Sequence, residues 1–431
     1  MEANFFKLEN LVRKNIKDLK PYSSARDEFK EFTTEMVFLD ANENPFENGV
    51  NRYPDPQQTA VKKELSSLKN IPIDQILLGN GSDEVLDLIY RAFCEPKQDS
   101  VITLPPTYGM YKVLANINNI EEKEVFLNES FEPKVEEILK AANENSKILF
   151  LCSPNNPSGN SFSNEAVEEL LIKFNGLVVI DEAYIDFSAQ QSWLTRLNEF
   201  PNLIITQTLS KAYGMAGIRL GICYASTEII TVLNKLKPPY NVNELTQQKA
   251  LKRLLTKNKV QNEINDILEQ RSKLIEKLKE ISFVEKIYPT DANFVLVKVD
   301  DAVKRYNQLI ERGIVIRNRT TQPLCENTLR FTIGTKNENK LLMLLGGVPL
   351  IRHTTMMLLA AGCVDITIVT GHDAEAIRHA VEGLDVRFVQ AHDHAKGQGH
   401  SLRAGILALP EKASDVLVML GDMPLVSAEL F

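Results

Sequence analysis

An amine, a phenol, a carboxylate and a guanidinium stand at ordered intervals in the middle of this chain. Lys211 lies in Thr208-Leu-Ser210-Lys211-Ala-Tyr-Gly214; Arg219 follows eight residues later, and Asp181-Glu-Ala-Tyr184 begins thirty residues before it. These are the groups needed to hold pyridoxal 5′-phosphate as a Schiff base. The amine forms the imine, and the carboxylate keeps the pyridine nitrogen protonated so that the ring accepts electrons. The phenol of Tyr184 can hydrogen-bond the ring 3′-oxygen. Ser210 and Arg219 can hold the phosphate, the arginine through a planar fork that matches its oxygens.

Each group must be carried to one place by the elements around it. Asp181 follows the apolar run Leu177-Val-Val-Ile180, so it sits where a buried strand ends, the edge at which open α/β sheets bind ligands. A carboxylate there can also serve as a helix cap. Phe150-Leu-Cys-Ser-Pro154-Asn155-Asn156-Pro157-Ser158-Gly159 reads as a strand ending in a rigid turn, with Asn156 as a neutral donor. Leu78-Gly79-Asn80-Gly81-Ser82-Asp83-Glu84 precedes the periodic Val85, Leu86, Ile89 and Tyr90. It reads as a Gly-rich loop opening a helix, whose free amides bind phosphate; a simple Ser or Asp cap is the competing reading. Tyr108, after the strand-like Val101-Ile-Thr-Leu104 and Pro105-Pro106-Thr107, can stack on a flat ring or pack in a core.

On these residues and several more, positions 8 to about 337 resemble histidinol-phosphate aminotransferase, a fold-type-I pyridoxal-phosphate enzyme. Leu39-Asp40-Ala41-Asn42-Glu43-Asn44-Pro45 looks like that family's signature, followed by Asn51-Arg52-Tyr53-Pro54-Asp55-Pro56. Leu19-Lys-Pro21-Tyr22 resembles its N-terminal arm, and Leu329-Arg330-Phe-Thr-Ile-Gly334-Thr335 its C-terminal substrate motif. The resemblance implies that Lys211 is the Schiff-base lysine and proton shuttle. Asp181 pairs with the pyridinium, Tyr184 and Asn156 contact the 3′-oxygen, and Tyr108 stacks on the ring. Ser82, Asp83, Ser210 and Arg219 hold the phosphate. Arg330 binds the substrate carboxylate or phosphate, and Arg317, Tyr22 and Asn42 line the pocket. Tyr53 reaches the neighbouring subunit's cofactor, which implies a homodimer. The implied reaction exchanges histidinol phosphate and 2-oxoglutarate for imidazole-acetol phosphate and glutamate; near relatives of the same fold decarboxylate threonine phosphate or transaminate aromatic amino acids.

Composition suits a cytoplasmic enzyme. The 431 residues are enough for a large core, and a net charge of −8 speaks against nucleic acid as a partner. The five cysteines form no C-x-x-C pair, as expected in a reducing compartment. The N-terminus is a charged amphipathic segment rather than a signal peptide, and no uncharged apolar run reaches membrane-spanning length. The expected architecture is α/β: an N-terminal arm over 1–45 that joins the smaller lobe, a large cofactor-binding domain of mostly parallel sheet over 46–244, and a small C-terminal lobe over 245–338. Within the last, residues 245–281 read as a charged surface helix with Leu251, Leu254, Leu255, Ile264, Ile267 and Leu268 on its apolar positions.

The text changes near residue 340. Strand-like Ile366-Thr-Ile-Val-Thr370, Ala395-Lys-Gly397-Gln-Gly399-His-Ser401, and Val416-Leu-Val-Met-Leu-Gly421-Asp422-Met423-Pro424 follow. Residues 339–431 look like part of a Rossmann-like molybdopterin nucleotidyltransferase, closest to the cytidylyltransferases of molybdenum cofactor. There the resemblance makes Asp422 a magnesium ligand, and a carboxylate at a strand end suits a hard cation; no other metal is expected. The opening strand and the Arg-containing nucleotide loop of that family are missing, and Leu359-Ala-Ala-Gly362 reads instead as a helix end capped by glycine. His392, His394 and His400 read as loop polarity. This segment is therefore expected to lack catalysis, with a working nucleotidyltransferase or a non-catalytic binding module as alternatives. Its strands 366–370 and 416–420 lack a first strand to pair with, so it is expected to be less stable than the aminotransferase body.

Overall fold

The computed structural model describes residues 6–21, 37, 39–336, 338–339, 350–371, 374–410, 413 and 415–420. In chain order, Ile76–Asn80 (β1), Ser100–Thr103 (β2), Glu121–Glu124 (β3), Ser146–Cys152 (β4), Leu177–Asp181 (β5), Leu203–Thr208 (β6) and Leu220–Ala225 (β7) form one sheet in the order β1-β7-β6-β5-β4-β2-β3. β7 runs antiparallel to both of its neighbours, and the remaining pairings are parallel. β5 is the middle strand, buried along its whole length. Its side chains alternate between two cores: Val178 and Ile180 pack on one face, Leu177 and Val179 on the other. A strand covered on both faces has no use for polar alternation, which is why its sequence is a continuous apolar run.

Helices supply the cover. Ser82–Phe93 buries Val85, Leu86, Leu88, Ile89, Tyr90, Ala92 and Phe93. Asn164–Lys173 buries Val167, Leu170 and Leu171. The sheet places the C-terminal ends of β4, β5 and β6 side by side, with Cys152 opposite Asp181 and Asp181 opposite Thr206. The motif-bearing loops follow those ends.

The smaller lobe is an antiparallel sheet of Val284–Ile287 (β8), Phe294–Val299 (β9), Arg317–Asn318 (β10) and Thr328–Thr332 (β11), in the order β10-β11-β9-β8. Residues 245–281 differ from the single helix expected. They form two, Glu244–Leu254 and Lys257–Lys279. Leu255 falls in the break and is exposed rather than on an apolar face. The N-terminal arm also differs in its described part. Leu11, Val12 and Ile16 bury against the large domain's core together with Phe93, Ile229 and Leu233. Arg13 N donates to Ala92 O at 3.0 Å, and its guanidinium pairs with Glu95. Apolar spacing and this ion pair fix residues 11–16 to the large domain, not to the smaller lobe.

The chain divides into two compact units, 1–336 and 337–431. In the second, Thr367–Thr370 pairs in parallel with Arg387–Gln390, and helices span Leu350–Ala360, Ala374–Ala380 and Gln398–Leu407. Gly362 ends the first helix at φ 85°, with Cys363 N donating to Leu358 O at 3.0 Å, a left-handed glycine cap. The strand expected at 416–420 is not formed. Those residues carry no ladder, and Val416, Leu417, Val418 and Leu420 are exposed; strand geometry needs a neighbour to take its backbone groups. Beside them lies an apolar cavity of about 960 Å³ bordered by Ile351, Leu358, Ile368 and Leu402. Asp422 and Tyr22 lie outside the described residues.

Candidate active site

Asp181 closes the central strand and is buried, so its carboxyl has left water with few compensations. Tyr111 OH donates to Asp181 Oδ2 at 2.8 Å, while Oδ1 has no hydrogen-bond partner. Burial pushes the Asp181 carboxyl above the usual carboxylate range, and the bond from Tyr111 opposes that shift. A buried carboxylate oxygen without a donor is costly unless a ligand supplies one. Tyr111 is itself held by stacking on Phe150, with ring centroids 4.8 Å apart, and by an edge contact with Tyr108.

The next residue, Glu182, turns away from Asp181 and does structural work. It is buried and accepts from Ser192 Oγ at 2.5 Å, Trp193 N at 2.8 Å and Gln207 Nε2 at 2.9 Å. These bonds oppose burial, which pushes its carboxyl up. They also tie the end of β5 to β6 and to the loop after it.

A second group assembles where β1 meets β7. Gly81 N donates to Arg219 O at 2.9 Å, and Arg219 adopts a left-handed φ of 57°. Its guanidinium reaches Asp83 Oδ2 at 3.5 Å, and Tyr108 OH donates to Asp83 Oδ1 at 3.0 Å. Ser82 opens the helix Ser82–Phe93, so its amide and that of Asp83 belong to the free first turn. The backbone approach leaves no room for side chains. A Cβ on Gly81 would lie 2.5 Å from Arg219 Nη2, and one on Gly221 only 2.3 Å from Ser82 N. Ser210 is oriented from β6, its amide donating to Thr208 Oγ1 at 3.1 Å. The loop that opens this helix is braced from behind. Glu84 Oε2 accepts from Asn80 N at 2.5 Å and from Asn241 Nδ2 at 2.8 Å.

Lys211 lies between these groups. Its Nζ is 5.7 Å from the centre of the Tyr184 ring. Burial first, then the nearby Arg330, push the amine below its ordinary range, opposed by Asp181 and Asp83. Asn156 Nδ2 donates to Tyr184 OH at 3.3 Å, and Arg330 Nη1 donates to Asn156 Oδ1. Arg330 also lies over the Phe294 ring at 5.0 Å. Burial, and next Arg319, push its guanidinium down to about 10. Arg317 stands directly across the ladder from Arg330.

Lys211, Asp181, Tyr184, Asn156 and Arg330 are thus in one connected neighbourhood, and Ser82, Asp83, Tyr108, Ser210 and Arg219 form the second group beside it. Tyr53 is instead half-exposed and stacks on Tyr240, with ring centroids 4.5 Å apart. Asn42 sits exposed in the arm at φ 55°. Three residues were not singled out from the sequence. Tyr111 had a faint signal, its i,i+3 spacing from Tyr108. Asn241 and Arg319 had none, since their roles come from pairings across 157 residues and across a β-ladder.

The residues present fit pyridoxal 5′-phosphate. An unpartnered buried carboxylate oxygen suits a protonated ring nitrogen. The crowded glycines beside a helix N-terminus and an arginine suit a phosphate. A lysine with lowered basicity suits an imine.

Residues 26–345 match the model of the aminotransferase class I and II family, and residues 330–431 that of the MobA-like NTP transferase domain. A histidinol-phosphate aminotransferase of Flavobacterium johnsoniae is 69% identical over 337 residues, covering 78% of this chain and 97% of that protein. The histidinol-phosphate aminotransferase structure from Clostridium acetobutylicum has a TM-score of 0.64 at 24% identity, covering 69% of this chain and 90% of that one. That of the Sinorhizobium meliloti enzyme, solved with pyridoxal 5′-phosphate, has a TM-score of 0.62 at 22% identity, covering 68% and 81%.

Proposed function

The chain belongs to the histidinol-phosphate aminotransferase family, within the class I and II aminotransferases, and from that membership we propose roles for its own residues. The protein is a pyridoxal-phosphate-dependent transaminase that interconverts histidinol phosphate and 2-oxoglutarate with imidazole-acetol phosphate and glutamate. When bound, the cofactor supplies a ring that accepts electrons from the substrate carbon bearing the amino group. The observation that carries the site assignment is the unpartnered Oδ1 of buried Asp181 at the end of the central strand.

In this reading Asp181 keeps a proton on the ring nitrogen, with Tyr111 fixing its other oxygen. Tyr184 and Asn156 hold the 3′-oxygen, and Tyr108 packs on the ring. The amides of Ser82 and Asp83, with Ser210 and Arg219, hold the phosphate. Lys211 anchors the cofactor through Nζ. Its lowered basicity keeps a larger neutral fraction at working pH, and the neutral amine takes the proton from the substrate Cα. Arg330 binds the substrate's carboxylate or phosphate through a planar fork, with Arg317, Asn42 and Tyr22 lining the pocket.

The protein acts as a homodimer in which Tyr53 completes the partner's site. Support comes from the segment leading to it, where Val37, Leu39, Phe46, Val50 and Tyr53 are exposed; apolar side chains gathered in one segment mark a surface that associates. The four-part division (1–45, 46–244, 245–338 and 339–431) stands as our reading, except that residues 11–16 go with the large domain. A cytoplasmic location agrees with cysteines that are all free. Among the described residues no helix is long and apolar enough to cross a membrane.

Residues 337–431 carry no catalysis in this reading, because among the described residues strand Thr367–Thr370 pairs with one other strand and residues 416–420 form no strand. The test of the main assignment is spectroscopic. The purified protein should absorb as a pyridoxal-phosphate enzyme and change on adding glutamate or histidinol phosphate, and Lys211→Ala should abolish that response. For the second unit, magnesium-dependent consumption of CTP or GTP that is lost in Asp422→Ala would overturn the inactive reading.

A further inference from the structure

We propose that Arg319 is a specificity-determining residue: with Arg317 and Arg330 it forms a three-guanidinium subsite that selects a phosphate monoester over a carboxylate. This rests on the reading of residues 1–336 as a histidinol-phosphate aminotransferase. β10 and β11 pair so that Arg317 faces Arg330. The ladder continues past the end of β10, where Arg319 N donates to Thr328 O at 2.9 Å. Side chains two apart on a strand share a face, so Arg317, Arg319 and Arg330 point to the same side.

Two features mark that side as built for an anion. The Nε atoms of Arg319 and Arg330 are both buried without hydrogen-bond partners. The Thr320 hydroxyl, in the same segment, is likewise buried and unpartnered. Among the described residues, no ion pair joins a carboxylate to any of the three arginines. Arg319 is also near enough to Tyr184 and Arg330 to interact electrostatically with both. Three like charges held close repel, here two on half-buried arginines and one on the exposed Arg317. A carboxylate brings one charge and two oxygens, enough for one guanidinium fork. A phosphate monoester brings nearly two charges and three oxygens, enough to engage the third arginine as well. The transamination cycle alternates between these two ligand types at Arg330. Arg319 is the group that adds affinity for one of them.

The test compares the two half-reactions in the holoenzyme, followed by cofactor absorbance. Losing a charge-assisted contact costs about tenfold or more in affinity. Arg319→Gln should raise the KM for histidinol phosphate at least tenfold more than that for glutamate. Inorganic phosphate, as a competitor of the glutamate half-reaction, should inhibit the variant at least tenfold more weakly than the parent. Arg319→Lys, which keeps the charge without the fork, should fall between, and serves if the glutamine variant does not fold. Equal losses on both substrates, or no loss on either with phosphate inhibition intact, would overturn the proposal. If the unaltered protein does not turn over histidinol phosphate, the functional reading fails instead, and the phosphate-inhibition arm still judges the subsite.

Discussion

Replacing Tyr111 with phenylalanine removes one oxygen atom from the molecule and leaves the ring stacked on Phe150. That oxygen is the donor to Asp181 Oδ2 at 2.8 Å, in a site where Oδ1 has no partner. A hydrogen bond to a charged, buried group contributes about 1.5–3 kcal/mol. Its loss should raise the Asp181 carboxyl further, because the charged form loses a donor. The direction is set because burial already pushes this carboxyl up and the Tyr111 bond is the largest of the contacts that oppose it, ahead of Thr206 and the Ala183 amide. A more basic carboxyl is more readily protonated and leaves the ring nitrogen without its counter-charge. The account therefore expects cofactor affinity, the glutamate half-reaction rate, or their product to fall about 10- to 100-fold. Equilibrium titration of the apoenzyme and stopped-flow absorbance with glutamate read these quantities. If both stay within twofold of the parent while the fold is intact, the coupling of Tyr111 to ring protonation is wrong.

Arg219→Ala should weaken cofactor binding by at least about tenfold, because it removes the phosphate's fork and the guanidinium beside Asp83; equilibrium dialysis measures it. Gly221→Ala should be far more damaging than its size suggests, since the added methyl meets Ser82 N at 2.3 Å; weak cofactor retention by a folded protein is the readout. Lys62 is buried in the helix Thr59–Lys69, and desolvation, then Lys237, push it down to about 8. Its folded-state value lies below its unfolded one, so the unfolded chain binds more protons between about pH 8 and 10.4, and this site's contribution to stability rises with pH across that window. Lys62→Met should remove that rise and stabilise the protein at pH 7 by up to about 3 kcal/mol, as chemical denaturation at several pH values would show. Limited proteolysis should cut beyond residue 345 well before the body of the enzyme, because residues 416–420 expose four large apolar side chains without a ladder; equal resistance in both parts would contradict this.

The elements that carry the proposed cofactor groups were legible because they are marked by local motifs. Asp181 could be placed at a strand terminus from Leu177-Val-Val-Ile180 alone, and the phosphate loop from Gly79-Asn80-Gly81-Ser82 before a periodic helix. Lys211 and Arg219 lie in a single loop and return. What escaped was whatever depends on contacts distant in sequence. Asn241 braces Glu84 from across the domain, and no period or motif announces that bond. Arg319 resembles any charged residue after a short strand until the register with β11 is known. Residues 11–16 of the arm were assigned to the other lobe for a related reason. Leu11, Val12 and Ile16 have helix-like apolar spacing, which says that they bury but not against what. The helix break at Leu255 and Thr256 carries neither Gly nor Pro, so pattern alone ran two helices into one. In the second unit, Val416 to Leu420 has the composition of a strand but pairs with none among the described residues.

The central claim is that Lys211 is the amine that carries the cofactor. Reducing the yellow protein with borohydride fixes the pyridoxyl group to whichever lysine holds it, and peptide mapping by mass spectrometry identifies that residue. The account predicts one pyridoxyl per chain, on the peptide containing Ser210 and Lys211. A label on any other lysine, or a reduced protein with none, would contradict it.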